Sequence, residues 1–558
     1  MLARLGRPLT ILLLAGPVLA GLAGTIGPAF GYLPALGGES LSLAPLRMLL
    51  AQPGIWQSAW LSLFTGLVST GISLVAVLLF VAAWAGTRAF GRVQHLVSPL
   101  LSVPHAAAAF GLAFLIAPSG MLARQGSPWL TGWERPPDLL IVNDPMGLSL
   151  IAGLVVKEIP FLFLVTLAAL PQAQVARTRQ LTASLGYGRS AAFIYGSWPA
   201  IYRQIRLAVF AVITFSTSVV DMAAILGPTR PPTLAPLLVQ WMNDADISMR
   251  FQASAGALLQ LAVSALAILI WIGLERLAGL ASRRLAGAGF RFRRDLWLRR
   301  TAIAAMAASG LAVFAGLATL SLWSVARLWP FPDALPMELT AAHWKKALPG
   351  VGAPMATTLA AALAAAGIAT LLAVLCLIRE DRAGRRGRLG LALIYLPLIV
   401  PQVAFLFGVQ LLFLLGGVMA SLPALVLAHL VFVLPYVLLS LSDPWRAFDR
   451  RYEMVAHGLG RTRLETLWRV RLPMMLRPLA TAAAVGFAVS VGLYLPTLMV
   501  GAGRLTTITT EAVALASGGN RSVIGVYAFL QMALPFLGFA VATLVPALLW
   551  RRFRAMRA

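Results

Sequence analysis

The sequence predicts an all-α, polytopic membrane protein of about twelve transmembrane helices, arranged as two parallel six-helix repeats. Three observations predict it. Of 558 residues, 59% are apolar and 11% charged, and mean hydropathy is +0.84. A soluble domain runs near 45–50% apolar and about 25% charged, so lipid must solvate most of this chain. Twelve apolar windows follow one another, each near the roughly 20 residues a spanning helix needs. The last six windows echo the first six in register.

The windows lie at 9–30, 58–84, 96–118, 147–170, 206–228 and 253–275, then at 301–323, 355–378, 389–416, 420–441, 477–500 and 523–549. The first has the form of a secretory signal, with Arg4 and Arg7 ahead of Leu9–Phe30. With eleven windows behind it, it reads as an uncleaved helix whose basic start stays inside.

Charge sets the orientation. Lys+Arg is 45 against 19 Asp+Glu, a net charge of +26. An even number of spans puts both termini on one side. If that side is the cytoplasm, 34 basic residues fall on inner segments, ten fall outside, and Lys157 lies within a span. That asymmetry is the positive-inside signature. The arginines are spread over every inner loop, so the charge needs no nucleic-acid partner. An inner-membrane protein with cytoplasmic N and C termini is expected. The single cysteine, Cys376, rules out an intramolecular disulfide and a cysteine-based metal site.

The repeat shows in matched residues. Leu63, Gly71 and Ile72 correspond to Leu359, Gly367 and Ile368 at an offset of 296, and Pro104 to Pro401 at 297. Further on, Leu185-Gly186 matches Leu459-Gly460, Pro199 matches Pro473, and Gly227…Arg230 matches Gly501…Arg504, all at 274. The offset drops where the first copy carries extra residues around Arg124–Met146. Halves with an even span count are related by an axis along the membrane normal. The expected domains are 1–275, a basic linker 276–300, and 301–558.

Two inner loops, about 177–205 and 446–476, share an unusual form. The second has Glu453 and Ala456, then Leu459-Gly460, an arginine-rich stretch, Val470, and Leu472-Pro473. The first has Leu185-Gly186 and then Trp198-Pro199, with no acid in the position of Glu453. Gly to Pro is 13 residues in both. A glycine after a helical turn permits a positive-φ cap, and a proline fits the start of the next helix. Between them Leu464, Leu467 and Trp468, with Arg463, Arg469 and Arg471, have the spacing of a short amphipathic helix.

This pattern resembles the cytoplasmic loop Glu-Ala-Ala-x3-Gly-x9-Ile-x-Leu-Pro of the membrane subunits of binding-protein-dependent ABC importers. The second copy departs from it by placing Glu453 one position early, and the first copy is more degenerate. The chain is similar to the fused permeases of the thiamine and ferric-iron importer group, in which one chain supplies both halves. The resemblance implies docking of both loops on ABC ATPase subunits, a homodimer, through Leu185, Gly186, Trp198, Pro199, Glu453, Ala456, Leu459, Gly460, Leu472 and Pro473. It also implies a soluble or periplasmic substrate-binding protein that delivers a small solute, thiamine-like or ferric iron.

The chain itself has no phosphate-binding machinery. A P-loop needs Gly-x4-Gly-Lys-Ser/Thr, and none of the three lysines, Lys157, Lys345 and Lys346, follows a glycine. It is expected to bind no cofactor, with ATP used by the partner subunit. A competing expectation is a secondary transporter of the major-facilitator kind, also built from parallel halves. Its few intramembrane acids and the two inner loops argue against that.

Three charges fall within spans, Lys157, Glu158 and Asp221, where burial is costly and function or pairing is the default. Lys157 and Glu158, beside Pro160, form either a polar kink on the central pathway or part of an ion pair with another helix. Asp221 corresponds to Leu495 in the second copy, so it breaks the pseudo-symmetry and points to a pathway or gate role. Pro104-His105 and Pro401-Gln402 mark the third span of each copy. Helix breaks there can line a cavity with freed carbonyls.

Overall fold

The computed structural model describes residues 2–383, 388–516, 518 and 520–549. The basic tail after Trp550, together with Arg385 and Arg386 of the Arg379–Arg388 loop, lies outside the described residues.

The chain is a bundle of helices, interrupted among the described residues by one small antiparallel pair, β1 (Ala326–Leu328) and β2 (Glu338–Leu339). In order run α1 (Leu2–Ala29), α2 (Ile55–Trp84), α3 (His105–Ile116), α4 (Leu148–Ala169), α5 (Val175–Ser184), α6 (Trp198–Ser218), α7 (Asp221–Leu226) and α8 (Met249–Gly287). They are followed by α9 (Leu296–Val325), α10 (Ala342–Ala383), α11 (Arg388–Ile399), α12 (Gln402–Leu415), α13 (Leu422–Ala447), α14 (Arg451–Gly458) and α15 (Arg463–Thr466). The last three are α16 (Leu476–Gly492), α17 (Leu495–Gly501) and α18 (Arg521–Leu549).

Nine of the described helices are long and apolar enough to cross a membrane, and two bent pairs bring the number to 11. This is the all-α, polytopic membrane fold that the sequence predicts. One bent pair is α11 with α12, which meet at 98°, at Pro401 where a break was expected. The fifth expected window, 206–228, differs most from expectation. It is α6 and the short α7, parted at Val219–Val220. The α6 end that carries Arg203 and Arg206 is too polar to count as lipid-spanning.

Glycine contacts set how the helices cross. A β-carbon on Gly408 of α12 would lie 1.8 Å from the Gly21 carbonyl oxygen of α1. On Gly111 of α3 it would lie 2.9 Å from the Gly316 backbone of α9. Backbones meet this closely only where side chains are absent, which is how membrane helices gain packing without a hydrophobic driving force. Gly111 and Gly408 are 297 apart, the same offset as Pro104 and Pro401. The helix after Pro104 thus packs on α9, and the helix after Pro401 packs on α1.

Candidate functional site

The two inner loops lie at the arginine-rich end of the bundle. Each opens with a helix, α5 or α14, that stops at a left-handed glycine: Gly186 has φ +78° and Gly460 has φ +79°. After this cap the chain makes one α-helical turn, at Arg189–Ala192 and at α15, and then a π-helical turn, at Phe193–Ser197 and Leu467–Arg471. Pro199 and Pro473 follow in the first turn of the next helix, where a missing N–H costs nothing. The π-turns were not anticipated. Such turns shift the following residues around the helix axis and occur often at functional sites.

In the second loop Leu459, Leu464 and Trp468 are 77%, 65% and 64% exposed, with Tyr452, Met454 and Val455 also exposed beside them. Thr462 and Glu465 form a capping box that starts α15. The Glu465 carboxyl is held below its ordinary value by the backbone N–H of Thr462 and then by its hydroxyl.

Three expected surface residues are placed otherwise. Arg471 is buried and not solvated with Arg463 and Arg469. Its guanidinium pairs with Asp381 at 2.8 Å and Glu453 at 3.1 Å, and lies 4.0 Å from the centre of the Trp445 ring. Trp445 in turn donates to Asp381 at 2.9 Å. Glu453 is thus half-buried and bound to its own loop, and Ala456 is buried. The α-helical spacing held no signal for this, because the π-turn at Leu467–Arg471 rotates Arg471 off the exposed face of Leu464. Leu472 and Pro473 are half-buried.

The first loop lacks this knot. Leu185 and Pro199 are exposed, while Trp198 is half-buried and packs on Tyr202. The linker does the bracing. Gly188 N–H donates to the Arg291 carbonyl at 2.8 Å, and Arg293 Nε donates to the Gly186 carbonyl at 3.2 Å. Asp295 accepts from both the N–H and the hydroxyl of Ser190, at 3.0 and 2.7 Å. Phe290 and Phe292 of the linker are left exposed, as are Leu181 and Leu185 of the loop.

Within the bundle, Pro104 and Pro401 each precede a new helix, with His105 and Gln402 as first residues. Lys157 donates to the carbonyls of Leu100 and Leu101, both at 3.2 Å. It therefore serves the broken turn before Pro104 and is ion-paired to no other helix among the described residues. Thr214 donates to the Ile399 carbonyl at 3.0 Å, across the break before Pro401. Gly492 of α16 closes on Pro104, and the His105 ring lies 4.6 Å from that of Phe215. Glu158 and Asp221 are buried.

A family described as the binding-protein-dependent transport system inner membrane component matches residues 369–555. The inner membrane ABC transporter permease protein YnjC of Escherichia coli K12 is 32% identical over 507 residues, which is 91% of each chain. The chain belongs to the ABC importer permeases. Shorter matches join this permease to the molybdenum transport permease ModB of Mycobacterium tuberculosis (33% identical; 25% of this chain, 60% of that one) and the putrescine transport permease PotI of E. coli K12 (29%; 34% and 69%). It is a multi-pass inner membrane protein and a transport subunit.

Proposed function

We propose that this permease supplies both membrane halves of one importer, residues 1–275 and 301–558 joined by the linker, with both termini cytoplasmic. Its two Gly-capped loops dock on the two subunits of a separate ATPase, a homodimer, and a soluble binding protein delivers a small solute to the outer face. One observation carries this reading: both loops combine a left-handed glycine, an α-turn, a π-turn and a proline at the same spacing, and both leave apolar side chains exposed at the basic end. An amphipathic segment of this kind fits a hydrophobic groove on a partner.

The relatives named for molybdenum and putrescine lend no support to thiamine or ferric iron as the solute. The experiment for the present reading is reconstitution. The purified chain should hydrolyse no ATP, whereas the complex with its ATPase should hydrolyse it faster when loaded binding protein is added outside. ATP hydrolysis by the chain alone, or uptake driven by an ion gradient without ATP, would overturn it.

A further inference from the structure

The first inner loop lacks the ion-paired knot of the second, and the repeat shows what stands in its place. At the offset of 296 that holds along α2, Asp381 falls on Ala85. At the offset of 274, Glu453 falls on Arg179 and Arg471 on Ser197. Both carboxylates are thus missing from the first copy, and an arginine stands in the position of Glu453. Where Arg471 fills the second knot, Ser197 has only a hydroxyl.

These three positions meet in space. Ala85, Arg179 and Ser197 line one cavity of about 250 Å³, with Arg189, Leu170 and Phe193 also on its wall. Arg189 donates to the Ala85 carbonyl. No acid forms an ion pair with Arg179 or Arg189 among the described residues. Asp295 of the linker is taken up by the N–H and hydroxyl of Ser190. A third arginine adds to the charge. The Arg299 guanidinium lies 5.2 Å from the centre of the ring of Trp84, the residue before Ala85, and its Nε is a buried donor with no acceptor. Burial, and after it the like charges of Arg179 and Arg299, hold the Arg189 guanidinium below its ordinary value. Like charges gathered round a largely apolar cavity disfavour one another until an anion joins them.

The cavity lies at the arginine-rich end of the bundle, beside the end of α2. Trp84 closes that helix, as membrane tryptophans do at the headgroup level. Basic pockets between membrane helices at this level take anionic lipid headgroups.

We propose that this cavity holds the headgroup phosphate of an anionic phospholipid, bound by Arg179 and Arg189, with Leu170 and Phe193 against the carbons next to the phosphate. The lipid supplies to the first loop the negative charge that the second carries in its own sequence as Asp381 and Glu453. The apolar wall and the interfacial level favour a lipid over an acidic side chain of a protein partner, which would use the arginines alone.

The test counts lipids on the full-length permease by native mass spectrometry, in detergent titrated with phosphatidylglycerol or phosphatidylcholine. Wild type should bind one phosphatidylglycerol more tightly than the rest. A basic residue near the surface contributes a factor of about 5, so Arg179→Gln should weaken that step about 5-fold and Arg179→Lys should restore it. Adding Arg189→Gln should bring the loss to about 30-fold. Arg179 is exposed, so its replacement leaves the packed bundle untouched. The transplant of Ala85→Asp, Arg179→Glu and Ser197→Arg supplies the knot within the chain and should remove the tight step altogether. A first step equally tight in wild type and Arg179→Gln, or equally tight with phosphatidylcholine, would overturn the proposal. Displacement of the lipid by inorganic phosphate would do so too, by making the site one for a free anion. So would loss of the ATPase from Arg179→Gln with the lipid step unchanged, which would assign the cavity to an acid of that partner. The lipid count needs neither ATP nor ATPase, so its failure is distinct from failure of the docking reading above.

Discussion

The hydroxyl of Thr214 donates to the carbonyl of Ile399 at 3.0 Å, although the two residues are 185 positions apart. Ile399 ends α11 just before the 98° bend, so its carbonyl has lost the partner that a continuous helix would provide. In lipid no water replaces that partner. A residue from the N-terminal half of the chain thus completes a break in the C-terminal half. Lys157 completes the break before Pro104 from within the N-terminal half, donating to Leu100 and Leu101.

Thr214→Val should leave the Ile399 carbonyl unpaired at constant shape. Stranding a buried acceptor costs about 1–3 kcal/mol, and a lowered thermal midpoint of the purified permease is the expected readout. Thr214→Ser should restore most of the loss. Equal midpoints for wild type and Thr214→Val would show that the bond contributes nothing.

Arg471 ties the second loop to α10 and α13 through Asp381, Glu453 and Trp445. Arg471→Met removes the cation and leaves two acids facing each other. Removing one partner of a fully buried pair costs about 3–5 kcal/mol, and the partial exposure of Asp381 and Glu453 brings this nearer to about 1–2. Leu459, Leu464 and Trp468 stay exposed, so the ATPase should still co-purify. The expected defect is fewer solutes moved per ATP, measured by uptake and phosphate release in the same liposomes.

Asp295→Ala releases the N–H and hydroxyl of Ser190 and should loosen the linker over the first loop alone. Limited proteolysis should cut 288–294 faster, with no change in the second loop. Unchanged cutting would mean that the Gly188–Arg291 and Arg293–Gly186 bonds hold the linker unaided.

Acid should fray α15. The folded Glu465 carboxyl titrates below its ordinary value because it accepts from Thr462. Its contribution is therefore complete above the unfolded value, about 4.3, and is lost as pH falls through the folded one. Hydrogen exchange at the Glu465 amide, corrected for intrinsic rates, should be protected at pH 6 and lose protection toward pH 3. Glu465→Ala should remove that pH dependence.

Most of the fold was legible because lipid imposes it. Long apolar windows, proline breaks and arginine-rich loops each follow from one physical demand, and Gly186, Gly460, Pro104 and Pro401 sit where those demands put them. Pairings between distant residues were not legible. Nothing local to Gly408 names Gly21 as its neighbour, and nothing in 290–295 says that it braces Ser190. The charges at 157, 158 and 221 could be found in the spans, but nothing local says that Lys157 turns to the carbonyls of Leu100 and Leu101. The pairing of Glu453 was hidden for a related reason: nothing near it in the sequence names Arg471 as its partner.

If both Gly-capped loops hold the ATPase, a co-purification series with changes in the two caps reads that out. Gly186→Asp and Gly460→Asp each force a side chain into a left-handed cap and set an acid beside exposed apolar residues, without touching the bundle core. With the tagged permease reaching the membrane at normal levels, each change should reduce the ATPase recovered with it, the Gly460 change more strongly, and the double change should abolish recovery. Undiminished recovery with the double variant would mean that the ATPase docks elsewhere on the permease.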